Sequence, residues 1–169
     1  MPSGDLRVAL PLKNFLQLEQ CPHEWRYLNL YLIRDEEVAF YIGQSYLAFE
    51  RVWRHFFDGF KGRSVIGRFI LCNWPASMRF TIEFLSSQSS IFDTIGHNLD
   101  SAERALIEQL KPCLNTALNP VPTPIPSYYA EPIGELTFSR RPITYIRQAA
   151  VVIQAEKKKA WLDQEGWGD

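Results

Sequence analysis

The sequence has few cysteines, no long apolar run and almost no net charge, and each shortage argues against a class of protein. Its three cysteines, Cys21, Cys72 and Cys113, are odd in number and far apart, which suggests neither a disulfide framework nor a zinc site. No run of about 18 apolar residues is present to span a membrane, and residues 1–20 lack the basic start and apolar stretch of a signal peptide. We therefore expect a soluble, cytoplasmic protein that does not bind membranes.

The formal net charge of −1 gives the chain no overall attraction to nucleic acid. Basic residues are nevertheless concentrated between positions 51 and 79, where Asp58 is the only acidic residue. The basic residues of this stretch are Arg51, Arg54, Lys61, Arg63, Arg68 and Arg79. On charge alone, a solvated and mildly basic surface is the better interpretation, although a positive surface beside a binding site would have the same composition.

The length of 169 residues and the hydrophobic content of 46% fit one compact domain. Two β-rich runs, 27–33 and 38–42, flank the polar cluster Arg34-Asp35-Glu36-Glu37, which predicts a hairpin with a four-residue connection. Alternation of apolar and polar residues over 79–85 predicts a third strand. The sequence therefore predicts a small sheet of three strands.

Apolar residues at intervals of mostly three and four predict a helix over 47–60. Arg51 and His55 are four positions apart on this helix, so their side chains lie on a common face. A second helix is expected over 64–72. The first of these helices can therefore present an arginine and a histidine to one site.

A further helix is predicted after the third strand. Asp100 or Ser101 would cap it, and the helix would run to Leu110. Glu103 would lie near its first turn, where the helix dipole favours an acidic side chain. Pro112 would stop the helix, because proline cannot continue its hydrogen-bond pattern.

Both ends of the chain are interpreted as extensions. The leucines of 1–25 predict an amphipathic arm packed on the core. Four prolines within 120–126 predict an extended path rather than a strand or helix, and 143–161 has the character of a terminal helix. The expected organisation is the N-terminal arm, a core domain over 26–118, and a Pro-rich segment with a helical extension packed on the core over 119–169.

A set of residues in the core domain is distinctive in its order and spacing. They are Tyr31, the triplet Tyr41-Ile42-Gly43, Arg51, His55, Glu103 and Asn115. The triplet begins ten positions after Tyr31. Glu103 and Asn115 are the first and last residues of the pattern Glu-x-x-Leu-Ile-x-x-x-x-Pro-x-x-Asn. This order and spacing, over about residues 28–116, resemble the catalytic core of the GIY-YIG nuclease family.

One position departs from the family pattern. The strand that normally carries the Gly-Ile-Tyr triplet has Asn29-Leu30-Tyr31 here. Leucine keeps an apolar residue in the strand, but asparagine lacks the backbone freedom of glycine. Because the tyrosine is kept, we interpret the change as a structural variation that the site tolerates.

The resemblance implies an α/β (α+β) fold, namely a GIY-YIG-type β-β-α-β-α sandwich with a small three-stranded central sheet flanked by helices, plus N- and C-terminal extensions. It also implies a metal-dependent DNA endonuclease that hydrolyses phosphodiester bonds. The family includes repair, homing, restriction and junction-resolving enzymes, so the resemblance selects no particular DNA substrate. One site cuts one strand, and a double-strand cutter of this size would need a homodimer or sequential nicking.

The resemblance also implies a role for each residue of the set. The catalytic residues would be Tyr31, Tyr41, Arg51, His55, Glu103 and Asn115. Glu103 would hold one Mg²⁺ or Mn²⁺ ion, since hard divalent ions take carboxylate and water ligands. Arg51 suits phosphate oxygens, the two tyrosines and the histidine would jointly act as the base, and Asn115 would position other groups. The side chains expected to contact DNA are Arg54, Lys61, Arg63 and Arg68, and no organic cofactor is expected.

The alternative is a noncatalytic module that keeps the same scaffold and binds nucleic acid or protein. Its support is the near-neutral net charge and the replaced glycine. Taken singly, a strand tyrosine, a helical arginine or an acid near a helix start each has an ordinary structural explanation. The joint order and spacing of the set favour the nuclease.

Overall fold

The computed structural model describes residues 4–60, 63–132 and 141–164, and it shows a mixed α+β protein. Its strands are β1 (Val8–Pro11), β2 (Leu30–Arg34), β3 (Ala39–Gln44) and β4 (Thr81–Leu85). Its α-helices are α1 (Leu12–Phe15), α2 (Ala48–Phe60), α3 (Val65–Cys72), α4 (Leu99–Leu110) and α5 (Pro142–Gln164). The predicted mixture of strands and helices is therefore confirmed.

The sheet has four antiparallel strands in the order β1-β4-β2-β3, one strand more than predicted. The additional strand, β1, comes from the N-terminal arm and pairs Leu10 with Ile82 at the edge of the sheet. Its last residue is Pro11, which a sheet edge tolerates. The prediction of three strands was wrong because a four-residue edge strand leaves too short a pattern to recognise.

The strands β2 and β3 form the predicted hairpin, and Asp35 holds its turn. The Asp35 carboxylate accepts the backbone N–H of Glu37 at 2.8 Å and that of Val38 at 2.7 Å, as in an Asx turn. The register of the hairpin places Tyr31 opposite Gly43. That register decides which side chains of the hairpin face each layer of helices.

Helices cover both faces of the sheet, and β2 supplies side chains to each face. Tyr31 and Ile33 belong to one core cluster and Leu30 and Leu32 to the other, because successive side chains of a strand alternate. The first cluster joins the sheet to α1, α2, α3 and α5 through the buried rings of Phe15, Phe40, Phe56, Phe69, Phe80, Phe84 and Tyr145. The second joins it to α4 through Ala102, Leu106 and Ile107.

The helices α2 and α3 approach closely where two glycines meet. A Cβ placed on Gly67 would lie 1.9 Å from the carbonyl oxygen of His55, and one placed on Gly59 would lie 2.3 Å from the carbonyl carbon of Gly67. Any larger residue at either position would push the helices apart. The close approach brings Ser64, the residue just before α3, into contact with His55.

The C-terminal part of the chain follows the prediction in outline. Residues 120–126 contain neither helix nor strand, and α5 comes after them. Tyr145 and Ala149 of α5 are buried in the core, where the rings of Phe56 and Trp74 meet the Tyr145 ring edge-on. No helix in the described ranges combines the length and the apolar character that crossing a membrane requires.

Candidate active site

Tyr31 stands at the centre of a buried polar cluster between the sheet and α2. Its side chain is 2% exposed, and its hydroxyl oxygen lies 2.6 Å from Nε2 of His55. The tyrosine ring crosses Gly43, which has no side chain to displace it. Two residues of the motif, one on a strand and one on a helix, are thereby in hydrogen-bond contact.

Ser64 holds the other nitrogen of the His55 ring. Nδ1 lies 2.9 Å from Ser64 Oγ, and the same oxygen accepts the backbone N–H of Gly67 at 3.0 Å as the N-cap of α3. His55 is buried, and both of its ring nitrogens are engaged within the protein. The orientation of the imidazole is therefore fixed from two sides.

Tyr41 completes a cluster of three rings. Its ring centroid lies 6.1 Å from that of Tyr31, with the two rings stacked. It lies 5.3 Å from the ring centroid of His55, in an edge-on arrangement. Because Tyr41 is only half-buried, its ring connects the buried pair to the surface.

The ring cluster keeps both phenols protonated at neutral pH. Burial raises the pKa of Tyr31 far above its ordinary value of about 10, and negative charge on Tyr41 would raise it further. Burial likewise raises the pKa of Tyr41. Arg51 opposes both shifts because its positive charge favours a phenolate.

His55 is uncharged at neutral pH. Burial, together with the positive charge of Arg51, lowers the pKa of His55 to about 4, against an opposing effect of the Asp58 carboxylate. A neutral imidazole has one N–H group and one bare nitrogen. The side chain can therefore accept a proton.

Arg51 lies on the exposed side of α2, one turn before His55. An open groove runs along the helix from this position, lined by Ser45, Leu47, Glu50, Arg51, Trp53, Arg54, Phe57 and Asp58. A guanidinium whose charge acts on the ring cluster and that is open to solvent can bind an anionic phosphate through paired N–H donors. This side chain is therefore the phosphate-binding candidate of the site.

The residues predicted to contact DNA are found in different surroundings. Arg54 lines the groove along α2, where two acidic side chains make the charge of the groove mixed. Arg63 is exposed just before α3, and Arg68 is half-buried on α3. Lys61 lies outside the described residues. The groove thus includes Arg54 in addition to Arg51, but its lining carries both positive and negative side chains.

Glu103 lies beside the edge strand β3, which α4 contacts. Burial raises the pKa of Glu103, the neighbouring carboxylate of Asp100 raises it further, and a hydrogen bond with Gln44 opposes the rise. Gln44 also donates from Nε2 to Asp100 Oδ1 at 2.7 Å. The two carboxylates thus lie close together, with the Gln44 amide beside them at the end of β3.

The helix that carries Glu103 begins earlier than predicted. Asn98, and not Asp100 or Ser101, is the N-cap, because its side chain accepts the backbone N–H of Ser101. Glu103 consequently lies in the second turn of α4 and not in the first. The prediction was wrong because three residues that favour caps occur within four positions, and sequence alone does not choose among them.

A divalent cation fits the surroundings of Glu103. Among the residues that the structure describes, no three His, Cys, Asp or Glu side chains are grouped as metal ligands. Mg²⁺ needs fewer protein ligands than that, since it keeps several waters and uses one or two carboxylates together with substrate phosphate. Glu103 with Asp100 beside it supplies that donor set, and a cation there would favour the ionised form of Glu103.

Asn115 is bound to the backbone of β3 and not to the ring cluster. Its Oδ1 accepts the N–H of Ile42 at 2.9 Å, and its Nδ2 donates to the carbonyl oxygen of Ile42 at 2.8 Å. Both ends of the amide are thereby used within the protein. Since Ile42 lies between Tyr41 and Gly43, the asparagine fixes the strand segment that shapes the cluster.

Asn29, which replaces the glycine of the family pattern, has a structural role here. Its Nδ2 donates to Ser87 Oγ at 3.0 Å, and its Oδ1 accepts the N–H of Ser87 at 2.9 Å. Its backbone is outside the left-handed region in which glycine would be required. The residue therefore ties the start of β2 to the end of β4 and leaves Tyr31 in place.

Sequence reasoning missed Ser64 and Gln44. A serine just before a run of apolar residues at helical spacing is a recognisable cap signal, so the capping role of Ser64 could have been found. Its contact with His55 could not, because that contact depends on the approach of α2 to α3. Gln44 directly follows the Tyr41-Ile42-Gly43 triplet, but its residue type indicates no partner on α4.

Comparisons with known proteins return no match, since no protein-family model, no curated protein and no solved structure aligns significantly with this chain.

Proposed function

We propose that this protein is a metal-dependent DNA endonuclease of the GIY-YIG type, which hydrolyses phosphodiester bonds. The observation that carries the proposal is the contact between Tyr31 and His55 at 2.6 Å. Tyr41 packs on the same pair, and Arg51 acts on all three rings by its charge. Phosphodiester hydrolysis requires a proton acceptor beside a phosphate-binding cation, and this cluster supplies both.

Arg51 would bind the scissile phosphate. Its planar guanidinium can donate paired hydrogen bonds to phosphate oxygens, and these strengthen as negative charge develops on the phosphate. A phosphate at this position would also offset the positive charge that contributes to the low pKa of His55. Substrate binding would therefore make the histidine a better proton acceptor.

The ring cluster would receive the proton of the attacking water. Tyr41 is the ring nearest the surface, and Tyr31 connects it to His55. Since burial raises the pKa of both phenols, neither is a phenolate before substrate binds. We assign the base jointly to the two tyrosines and the histidine. The histidine is the group that has a bare nitrogen able to accept a proton at neutral pH.

Glu103 would hold one Mg²⁺ or Mn²⁺ ion, with Asp100 beside it. A bound divalent ion would supply positive charge next to the phosphate and lower the pKa of its water. Gln44 Nε2 donates to Asp100 Oδ1 and would orient that neighbouring carboxylate. Since the charge of the Glu103 carboxylate raises the pKa of Tyr31 and of Tyr41, a cation held there would lie beside the ring cluster.

The test is incubation of the pure protein with plasmid, branched and single-stranded DNA, with and without Mg²⁺ or Mn²⁺. We expect metal-dependent nicking of supercoiled plasmid. Glu103→Gln keeps the shape of the side chain but removes its charge, and it should abolish nicking while the protein stays folded. Glu108→Gln changes an exposed glutamate of the same helix and serves as the matched control that keeps the activity.

Each outcome has a definite meaning. DNA binding without cleavage in either metal would refute the nuclease and favour the noncatalytic module. Equal nicking by the wild type and Glu103→Gln would refute the metal role of Glu103 but not the nuclease activity. Direct linearisation of plasmid at a rate that rises steeply with protein concentration would indicate a homodimer, whereas accumulation of nicked circles would indicate a single site acting alone.

A further inference from the structure

Ser64 lies behind His55, at the ring nitrogen that faces away from Tyr31. Its Oγ is 2.9 Å from Nδ1, whereas the Tyr31 oxygen is 2.6 Å from Nε2. All three residues are buried, with 7%, 7% and 2% of Ser64, His55 and Tyr31 exposed. The imidazole therefore joins a strand residue to a helix cap without competition from solvent.

The two distances indicate which ring nitrogen carries the proton. Hydrogen bonds donated by N–H groups to oxygen span about 2.7–3.2 Å, whereas hydroxyl donors come as close as about 2.5 Å. The 2.6 Å contact lies below the usual span for an N–H donor and within the span for a hydroxyl donor, so it favours the Tyr31 hydroxyl as the donor and a bare Nε2 as the acceptor. The 2.9 Å contact fits an Nδ1–H donating to Ser64 Oγ.

Ser64 is able to accept this hydrogen bond because a hydroxyl oxygen has two lone pairs. One of them accepts the N–H of Gly67 in the cap of α3. The other is available to Nδ1 of His55. The position of the oxygen is fixed as well, because α3 lies against the backbone of His55 at Gly67.

We infer that Ser64 is a positioning residue that holds His55 in the Nδ1–H tautomer and so presents a bare Nε2 to Tyr31. The catalytic meaning of this arrangement rests on the proposed function, whereas the tautomer itself rests on the hydrogen-bond geometry. The opposite tautomer would point an N–H group at the Tyr31 oxygen and remove the nitrogen that takes its proton.

In the proposed hydrolysis step, Tyr31 relays the proton of the attacking water to His55. As the water oxygen forms its bond to phosphorus, the water proton passes to the Tyr31 oxygen and the Tyr31 proton passes to His55 Nε2. The bond between phosphorus and the leaving oxygen breaks, and its electron pair stays on that oxygen. The resulting imidazolium still donates to Ser64 through Nδ1–H, and its Nε2 proton returns through the Tyr31 hydroxyl to water in the site, from which the leaving oxygen is protonated.

The tautomer can be observed by nitrogen NMR of the full chain carrying isotope-labelled histidine, since protonated and bare ring nitrogens give separate signals. The signals of His55 are identified by their loss in His55→Gln. Ser64→Gly removes the hydroxyl but keeps a residue that helix caps tolerate. Ser64→Thr restores a hydroxyl, and Asn98→Gly removes the cap of α4, which packs in the other core cluster.

In the wild type at neutral pH, we expect Nδ1 to be protonated and Nε2 to be bare. Ser64→Gly should shift both signals toward the average of the two tautomers, and Ser64→Thr should bring them back. Asn98→Gly should leave the His55 signals unchanged. A protonated Nε2 in the wild type, or unchanged signals in Ser64→Gly, would overturn the inference.

Plasmid nicking by the same variants separates this inference from the proposed function. Ser64→Gly should lower the single-turnover rate about 10- to 100-fold, the range for removing a partner that orients a metal-binding histidine, with unchanged DNA affinity. Ser64→Thr should recover the rate. If the wild type shows the expected tautomer but cuts no DNA, the proposed function fails and the tautomer stands. Equal cutting by the wild type and Ser64→Gly overturns the positioning role.

Discussion

Gly43 lies opposite Tyr31 on the neighbouring strand, and a Cβ at Gly43 would stand 2.2 Å from the Tyr31 hydroxyl oxygen. The tyrosine ring therefore crosses the place where a side chain would be, and its hydroxyl continues past the strand to His55. The backbone of Gly43 is outside the left-handed region, so its angles do not demand glycine. The requirement comes from the contact with the ring.

Gly43→Ala is expected to displace the Tyr31 ring and break its hydrogen bond to His55. Misplacement of a reacting group by about 1 Å costs on the order of 100-fold in rate, so nicking should fall by about that factor. The added methyl group should also destabilise the fold by roughly 1–3 kcal/mol, as overpacking does. Single-turnover nicking and urea unfolding of the same preparation measure the two effects.

Gly96→Ala is the matched control for this substitution. Gly96 has a φ of 75° and no atom within 4 Å of an added Cβ, so alanine there strains the backbone without striking a neighbour. The strain should cost about 1 kcal/mol or somewhat more, with nicking unchanged once the protein is folded. If both variants lost the same fraction of activity, lower stability and not the position of Tyr31 would be the cause.

Arg51→Lys should lower the nicking rate by roughly 100-fold or more, because a point charge cannot replace the paired donors of a guanidinium at a phosphate. The loss should appear in the rate at saturating DNA more than in DNA affinity, since the donors matter most where charge develops. Arg54→Lys, in the same groove, is the control and should change affinity slightly and the rate little. Unchanged turnover of Arg51→Lys would exclude its role at the phosphate.

Long periodic segments were predictable from the sequence alone. The helix expected over 47–60 is α2 at Ala48–Phe60, and the strand expected over 79–85 is β4 at Thr81–Leu85. Each buries a repeating set of apolar side chains against a neighbouring layer, and that repeat is visible in the residues. The strand β1 was not predictable because it is short and the leucines of the surrounding segment also fit a helix.

The contacts of the site were predictable only where they are local. The spacing of Arg51 and His55 placed them one turn apart on α2, and the structure has them so. Ser64 contacts His55 only because Gly59 and Gly67 let α2 and α3 approach closely. The spacing of residues in the sequence does not predict that contact. The pairing of Asn115 with the backbone of Ile42 likewise joins residues 73 positions apart in the chain.

Stability should depend on pH through His55. Burial and Arg51 lower its pKa to about 4 in the folded protein, whereas an unfolded histidine has a pKa of about 6.5. Between these values the unfolded chain binds a proton that the folded chain does not, so the free energy of unfolding must decrease as the pH falls from about 6.5 toward 4. Urea unfolding at several pH values in this window should show the decrease.

His55→Gln removes the titrating group and should flatten this pH dependence over the upper part of the window, before the carboxylates begin to titrate. Parallel slopes for the wild type and His55→Gln would show that the folded protein takes up the proton on His55 as readily as the unfolded chain does.

Asn115→Asp tests whether Asn115 acts through the backbone of β3. The substitution keeps an acceptor for the Ile42 N–H but places a second oxygen against the Ile42 carbonyl, where the amide now donates. Leaving a buried partner unpaired costs about 1–3 kcal/mol, so the midpoint of urea unfolding should fall clearly. Asn14→Asp, at an exposed position of α1, should leave the midpoint nearly unchanged. An Asn115→Asp protein as stable as the wild type but unable to cut DNA would instead place the Asn115 side chain in direct contact with the substrate.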